Sequence, residues 1–209
     1  MEYIAAIYRK EGRGLSFLSP TDVQGGFCTF LCEVCRDGVM DRELTEYVWK
    51  RLKYWAMGHR VSVTSGEELR QLLSKIQEEV ERNIQMRREQ GHVKEIRWRY
   101  LALLLCTGEF GVVATRGQGR VWVTQRNWGK VKVESLVSGD GPEVELVKLQ
   151  PGVGVLLSEG HGTETRDWQQ MLDPVEINST MQIQKRIKEL GEYTAMGEGN
   201  LAYLIYKGE

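Results

Sequence analysis

The sequence predicts an α+β domain whose sheets are mostly antiparallel. Three observations carry that expectation: strand-type runs open and close the chain, two helix-period segments follow one another between residues 41 and 90, and a series of strand-type runs separated by turn signals begins near Trp98. Glycine is plentiful at 23 residues and proline scarce at 4, the balance expected of short strands joined by tight turns.

Tyr3-Ile4-Ala5-Ala6-Ile7-Tyr8 reads as the first strand, ended by Gly12 and Gly14. After Gly25-Gly26, the run from Phe27 to Cys35 is apolar, aromatic and β-branched, and Asp37-Gly38 closes it as a turn. Asp41 is placed to cap a helix over about 41–57, in which Leu44, Val48, Leu52 and Trp55 recur at helical spacing. Ser65 with Glu68 has the spacing of a capping box. Leu69, Leu72, Leu73, Ile76, Val80 and Ile84 make the apolar stripe of the helix that follows, over 65–90, with Gly91 beyond its end.

Six strands are then expected, over Tyr100–Cys106, Phe110–Ala114, Arg120–Thr124, Val131–Val137, Val144–Leu149 and Val153–Ser158. Gly108, Gly117, Gly129, the turn over 139–142 and Pro151-Gly152 separate them. A third helix over 179–190 carries Ile183, Ile187 and Leu190, with Gly191 as its C-terminal stop, and Leu201 to Tyr206 is the last strand. No repeat or low-complexity linker divides the 209 residues, so one domain over 1–209 is expected.

Composition excludes several classes. Hydrophobic residues at 41% and charged residues at 27% supply a packed core and rule out global disorder. With 28 Lys plus Arg against 29 Asp plus Glu, the net charge of -1 provides no cationic excess for neutralising phosphates, so no nucleic-acid partner is expected. No apolar run reaches the roughly 18 residues of a membrane span, and the opening MEYIAAIYRKEG has no signal-peptide apolar region. The expectation is a soluble, cytoplasmic protein with reduced thiols and no membrane partner.

The sharpest local motif is Cys28-x-x-x-Cys32-x-x-Cys35, the spacing with which radical S-adenosylmethionine enzymes hold an iron–sulfur cluster. Its setting argues against that use, because alternation along a strand puts Cys28 and Cys32 on one face and Cys35 on the other. The bland alternative is three small buried hydrophobes. His59, His92 and His161 have no ligand spacing. Arg82, Arg87, Arg88, Lys94, Arg97 and Arg99, interleaved with glutamates, read as a solvated face on which a phosphate-rich or protein partner could dock.

Taken in order, these pieces resemble the PPM family of metal-dependent Ser/Thr phosphatases, the PP2C-like fold, including its bacterial signalling and sporulation branches. Gly12-Arg13 is similar to the family's strand-end arginine, and Asp37-Gly38 to its central Asp-Gly. Gly117-Gln118-Gly119-Arg120 is similar to a Gly-Asp-Ser-Arg hairpin that has lost its Asp and Ser. The run from Leu149 to Gly160 is similar to the strand ending in Ser-Asp-Gly, with Glu159 for the Asp. Gly199-Asn200 stands where the family has Asp-Asn, and Leu15-Ser16-Phe17-Leu18 holds no carboxylate where another ligand is expected.

The resemblance implies a four-layer α-β-β-α sandwich of two antiparallel sheets, with the helices near 41–57 and 65–90 on one side, the 179–190 helix on the other, and an eroded site at one end. It implies catalytic and metal roles for Asp37 and Glu159, a carbonyl ligand from Gly38 and phosphate binding by Arg13; His161, next to Glu159-Gly160, is a further candidate acid or ligand. Two Mn²⁺ or Mg²⁺ ions close together need several carboxylates, and most of the family's are missing, so the ions are expected to be held weakly or not at all. The expected function is a pseudophosphatase, or a weak Mn/Mg-dependent phosphoserine/phosphothreonine phosphatase, with a phosphoprotein or regulatory protein as partner. The alternatives are the iron–sulfur enzyme and a non-catalytic protein-interaction domain.

Overall fold

Alternating apolar runs need a second apolar layer to bury them, and here they close into two stacked sheets. The computed structural model describes residues 2–88, 95–127, 130–137, 143–159, 168, 172, 179–193 and 199–208. In chain order the elements are β1 (Glu2–Tyr8), β2 (Leu15–Pro20), β3 (Gly26–Arg36), β4 (Val39–Met40), α1 (Arg42–Gly58), α2 (Ser65–Arg88), β5 (Ile96–Thr107), β6 (Phe110–Gly117), β7 (Arg120–Asn127), β8 (Lys130–Val137), β9 (Glu143–Lys148), β10 (Val153–Ser158), α3 (Thr180–Tyr193) and β11 (Leu201–Gly208). One sheet has the order β1-β11-β10-β7-β8 and the other β2-β3-β5-β6-β9, with β4 paired to β3. Every pairing is antiparallel.

Three apolar layers hold four layers of structure together. Val48, Leu52 and Ala56 of α1 and Leu69, Leu73 and Ile76 of α2 pack on Phe30, Cys32 and Leu103. Between the sheets, Leu31, Ala102, Leu104 and Val113 meet Val155, Leu157, Ala202 and Leu204. On the far side, Ile183, Ile187 and Leu190 of α3 cover Ile4, Ala6, Leu156 and Ile205. This is the expected α-β-β-α sandwich. All six residues of β10 are buried, as a central strand covered on both faces requires.

Local signals behave as elementary chemistry dictates in most places. The Asp41 carboxylate accepts the Leu44 N–H at 3.1 Å and caps α1, and Arg36 pairs with the same carboxylate. Ser65, by contrast, is the first residue of α2 and fully buried. Its hydroxyl accepts the Ser62 N–H and meets His59 Nε2, each at 2.8 Å, while Thr64 makes the hydroxyl–carboxylate bond to Glu68. Gly191 does not stop α3, which runs on to Tyr193. A glycine is needed at this position within the helix, because a Cβ there would stand 2.3 Å from the Tyr8 ring.

β2 has no counterpart among the strands expected from the sequence. It is an edge strand ending at Pro20, where a missing N–H costs no ladder bond. Gly91, His92, Gly129 and the turn over 139–142 lie outside the described residues. No described helix is long and apolar enough to cross a membrane.

The iron–sulfur reading is not supported. Cys28 and Cys32 lie in the helix-facing core, whereas Cys35 turns to the other face and donates to Glu33 at 3.4 Å. Burial raises all three thiols, Cys35 to about 11, which disfavours the thiolate a cluster needs.

Candidate functional site at one end of the sandwich

Two strands from different sheets each deliver one carboxylate to the same end of the molecule. On β3, alternation points Leu31 and Glu33 into the space between the sheets. Glu33 is the one charged residue between Gly26 and Cys35 and is fully buried. A buried carboxylate needs donors, and the structure supplies them. Its Oε2 accepts the Gly14 N–H at 2.8 Å, and its Oε1 accepts Arg99 Nη1 at 2.9 Å and the Cys35 thiol. Gly14 comes this close only because it lacks a side chain; a Cβ there would stand 2.1 Å from the Tyr100 hydroxyl oxygen.

Arg99 reaches Glu33 through a break in register. Glu33 pairs with Tyr100 and Val34 with Trp98, which leaves Arg99 unpaired as the extra residue of a β-bulge on β5. In unbroken alternation Arg99 and Tyr100 would face opposite sides of the sheet; the bulge turns both toward Glu33. The hydrogen bond to Glu33 makes the Arg99 guanidinium hold its proton more tightly still. The tight β6–β7 turn covers this bulge, with the Gln118 N–H donating to the Arg99 carbonyl at 2.9 Å.

On the other sheet, Glu159 follows β10 and is 3% exposed. Its Oε2 accepts the Asn200 N–H at 3.1 Å. The Asn200 side chain donates to the Tyr100 hydroxyl at 2.9 Å and accepts the Lys10 N–H at 2.9 Å, so it ties the two sheets to the β1–β2 loop. Burial raises the pKa of Glu159, and the charge of Glu33 adds to that. The Asn200 N–H and the charge of Arg13 act against it. Burial, with the charges of Glu159 and Glu33, also pushes the Tyr100 phenol well above its ordinary value. The arrangement is two carboxylates facing two guanidiniums, with a phenol and an amide joining them.

Of the residues the sequence singled out, the structure brings Arg13 and Glu159 into electrostatic contact and leaves Asp37 and Gly38 in another setting. Asp37 and Gly38 are the exposed two-residue turn between β3 and β4, with φ of 48° and 83°. The Asp37 carboxylate accepts the Glu95 N–H at 2.8 Å and so fastens the start of β5. The reason is length: β3 runs past the cluster to Arg36, so the acid facing Glu159 lies four residues before Asp37. Gly160, His161, Gly197 and Glu198 lie outside the described residues. Glu33 and Tyr100 stand outside the residues the sequence singles out, and Arg99, expected on a solvated basic face, instead bonds the buried Glu33. A lone acid in an otherwise uncharged strand was the available signal for Glu33. Among the described residues, no three His, Cys, Asp or Glu side chains gather where they could hold a metal ion.

No family model and no curated protein matches the chain. Solved structures do match along its full length. A bacterial serine phosphatase superposes with a TM-score of 0.71 at 14% identity, covering 100% of this chain and 99% of that one. The catalytic domain of the serine/threonine phosphatase PstP, solved in complex with two manganese ions, gives 0.71 at 11% identity over 100% and 98%. PppA, a regulatory component of the type VI secretion system of Pseudomonas aeruginosa, gives 0.67 at 12% over 99% and 98%. The chain therefore has the PP2C-like phosphatase fold.

Proposed function

We propose that this PP2C-like domain is a pseudophosphatase of bacterial signalling, which recognises a phosphoserine or phosphothreonine segment of a protein partner and does not hydrolyse it. The observation that carries the reading is the Arg99–Glu33 ion pair, 2.9 Å long, at the centre of the cluster. The cofactor that the fold implies is manganese or magnesium, which demands several oxygen ligands at close range. Each carboxylate of this cluster is already engaged. Glu33 has both oxygens taken by Gly14, Arg99 and Cys35, and Glu159 accepts from Asn200. A guanidinium within hydrogen-bond reach of Glu33 repels a second cation at the same place. The described residues of this cluster do not fit the metal centre, and the metal-dependent attack of water on phosphorus has no seat among them.

What this end retains for an anion is a pair of guanidiniums, Arg13 and Arg99. The charge of Arg13 acts on Glu159, and the Arg99 side chain is about one-third exposed at 31%. Arginine forks match phosphate oxygens bidentately. The test is calorimetric titration with a phosphoserine peptide, beside p-nitrophenyl phosphate hydrolysis with Mn²⁺. Peptide binding weakened about tenfold by Arg13→Ala, with no Mn²⁺-dependent turnover, is the expected result. Mn²⁺-dependent turnover abolished by Glu159→Gln would instead make the chain a weak phosphatase with a reduced ligand set.

A further inference from the structure

We infer that Arg99 is an internal stand-in for a divalent cation, and that this end of the fold stays assembled without metal because the β-bulge on β5 aims a guanidinium between the sheets. The inference rests on reading the cluster as a converted metal end, and on no partner or substrate.

Stacking the two sheets face to face brings Glu33 of one within electrostatic range of Glu159 of the other. Left alone, two buried carboxylates repel and resist ionisation. A positive charge must lie between them, or at least one must stay protonated. The structure places that charge on β5. The register skips from Trp98 to Tyr100, and the skipped residue is Arg99. Its guanidinium bonds Glu33 directly and also feels the charge of Glu159. A bulge disrupts the ladder locally, and here the structure maintains it deliberately. Gly117 and Gly119 of the β6–β7 turn fold tightly against this part of β5. A Cβ on Gly117 would stand 2.6 Å from the Arg99 carbonyl oxygen, and one on Gly119 1.8 Å from that of Leu101. The sequence around the bulge is thus shaped to hold Arg99 where it is. Neutralising Glu33 from within is the task a bound ion would otherwise perform.

The consequence is a switch of cation dependence by one substitution. Arg99→Met keeps an unbranched stem and removes the charge bonded to Glu33, leaving Glu33 without its cation beside Glu159, on which Arg13 still acts. The whole protein is melted in EDTA and in about 5 mM Mn²⁺, a concentration several times the Kd of a weak carboxylate site. The wild type is expected to melt at the same temperature in both. Arg99→Met is expected to melt lower in EDTA and to recover about 2–4 °C in Mn²⁺, and Arg99→Met combined with Glu33→Gln to lose that response. If Arg99→Met does not fold free of metal, its refolding from urea with Mn²⁺ is read instead, and recovery of a cooperative transition is the supporting result.

A folded Arg99→Met that ignores Mn²⁺, or an unfolded one that Mn²⁺ does not rescue, would show an ordinary structural ion pair and overturn the inference. So would a wild-type Mn²⁺ response removed by Glu33→Gln, because metal and guanidinium would then share the site. None of these readings involves a phosphopeptide, so the failure of this inference and the failure of the phosphoprotein reading are separate results.

Discussion

At the scale of single residues, the informative features are charges placed where charge is costly. Glu159 is held above its ordinary carboxyl value of 4.5 chiefly by burial. An acid whose folded pKa is raised contributes stability that is fully present below its unfolded pKa. That contribution is lost as pH rises through the folded value. Glu159→Gln removes the titration and keeps an oxygen for the Asn200 N–H. Urea midpoints of the two proteins, compared from pH 4 upward, should therefore diverge. The wild type is relatively most stable at the acid end and loses ground to the variant as pH rises through and above 4.5. Parallel curves would mean that Glu159 ionises as freely in the folded chain as in the unfolded one. The same residues show what the sequence made legible at the site. Arg13 and Glu159 stood in recognisable strings next to glycines. Glu33 lay inside an apolar strand among hydrophobes, and Asp37-Gly38 drew the assignment by resembling the family's central Asp-Gly, although Asp-Gly is a strong turn signal wherever it occurs. Arg99, expected on a solvated basic face, could not be placed beside Glu33, since its direction depends on a bulge that no periodicity announces.

At the scale of elements, periodicity was a good guide wherever a run was long and buried, as in β3, β5, β10 and the two paired helices. It failed for β2, whose serines and terminal proline give no continuous apolar face, and for Gly191, where composition suggested a helix stop and packing demanded a small residue. That last case makes a prediction. Alanine is the better helix former by about 1 kcal/mol, so Gly191→Ala should stabilise α3 on propensity alone. The Tyr8 ring stands 2.3 Å from where the Cβ would be, and overpacking of this kind costs about 1–3 kcal/mol. The clash should win, with a net loss of about 1 kcal/mol in urea unfolding. In a Tyr8→Ala background the obstruction is gone, and the same change at Gly191 should become neutral or stabilising. A loss of equal size in both backgrounds would place the constraint somewhere other than the β1–α3 contact.

At the scale of the whole molecule, the two sheets share an apolar core along their length and a polar knot at one end. The knot spans them: Glu33, Arg99 and Tyr100 belong to one sheet, and Glu159 and Asn200 flank strands of the other, joined by the 2.9 Å Asn200–Tyr100 bond. Breaking a buried ion pair by removing one partner costs about 3–5 kcal/mol. Here the Glu33 side chain is 1% exposed and Arg99 31%, so solvent screening of the arginine reduces the expected cost of Glu33→Gln to about 2–3 kcal/mol. The question is where that loss is felt. If the knot only fastened the start of β5, hydrogen exchange would quicken there and leave β11 protected. The core argues for the other outcome, since neither sheet can bury Leu104 or Leu204 without its counterpart. Amides at the centre of β5 and of β11 should lose protection by the same free energy, and the denaturant m-value should stay unchanged. Unequal losses would mean that the sheets come apart in steps and that the knot is local reinforcement. Equal losses would make Glu33, hidden in the sequence among hydrophobes, a residue on which the stability of both sheets depends.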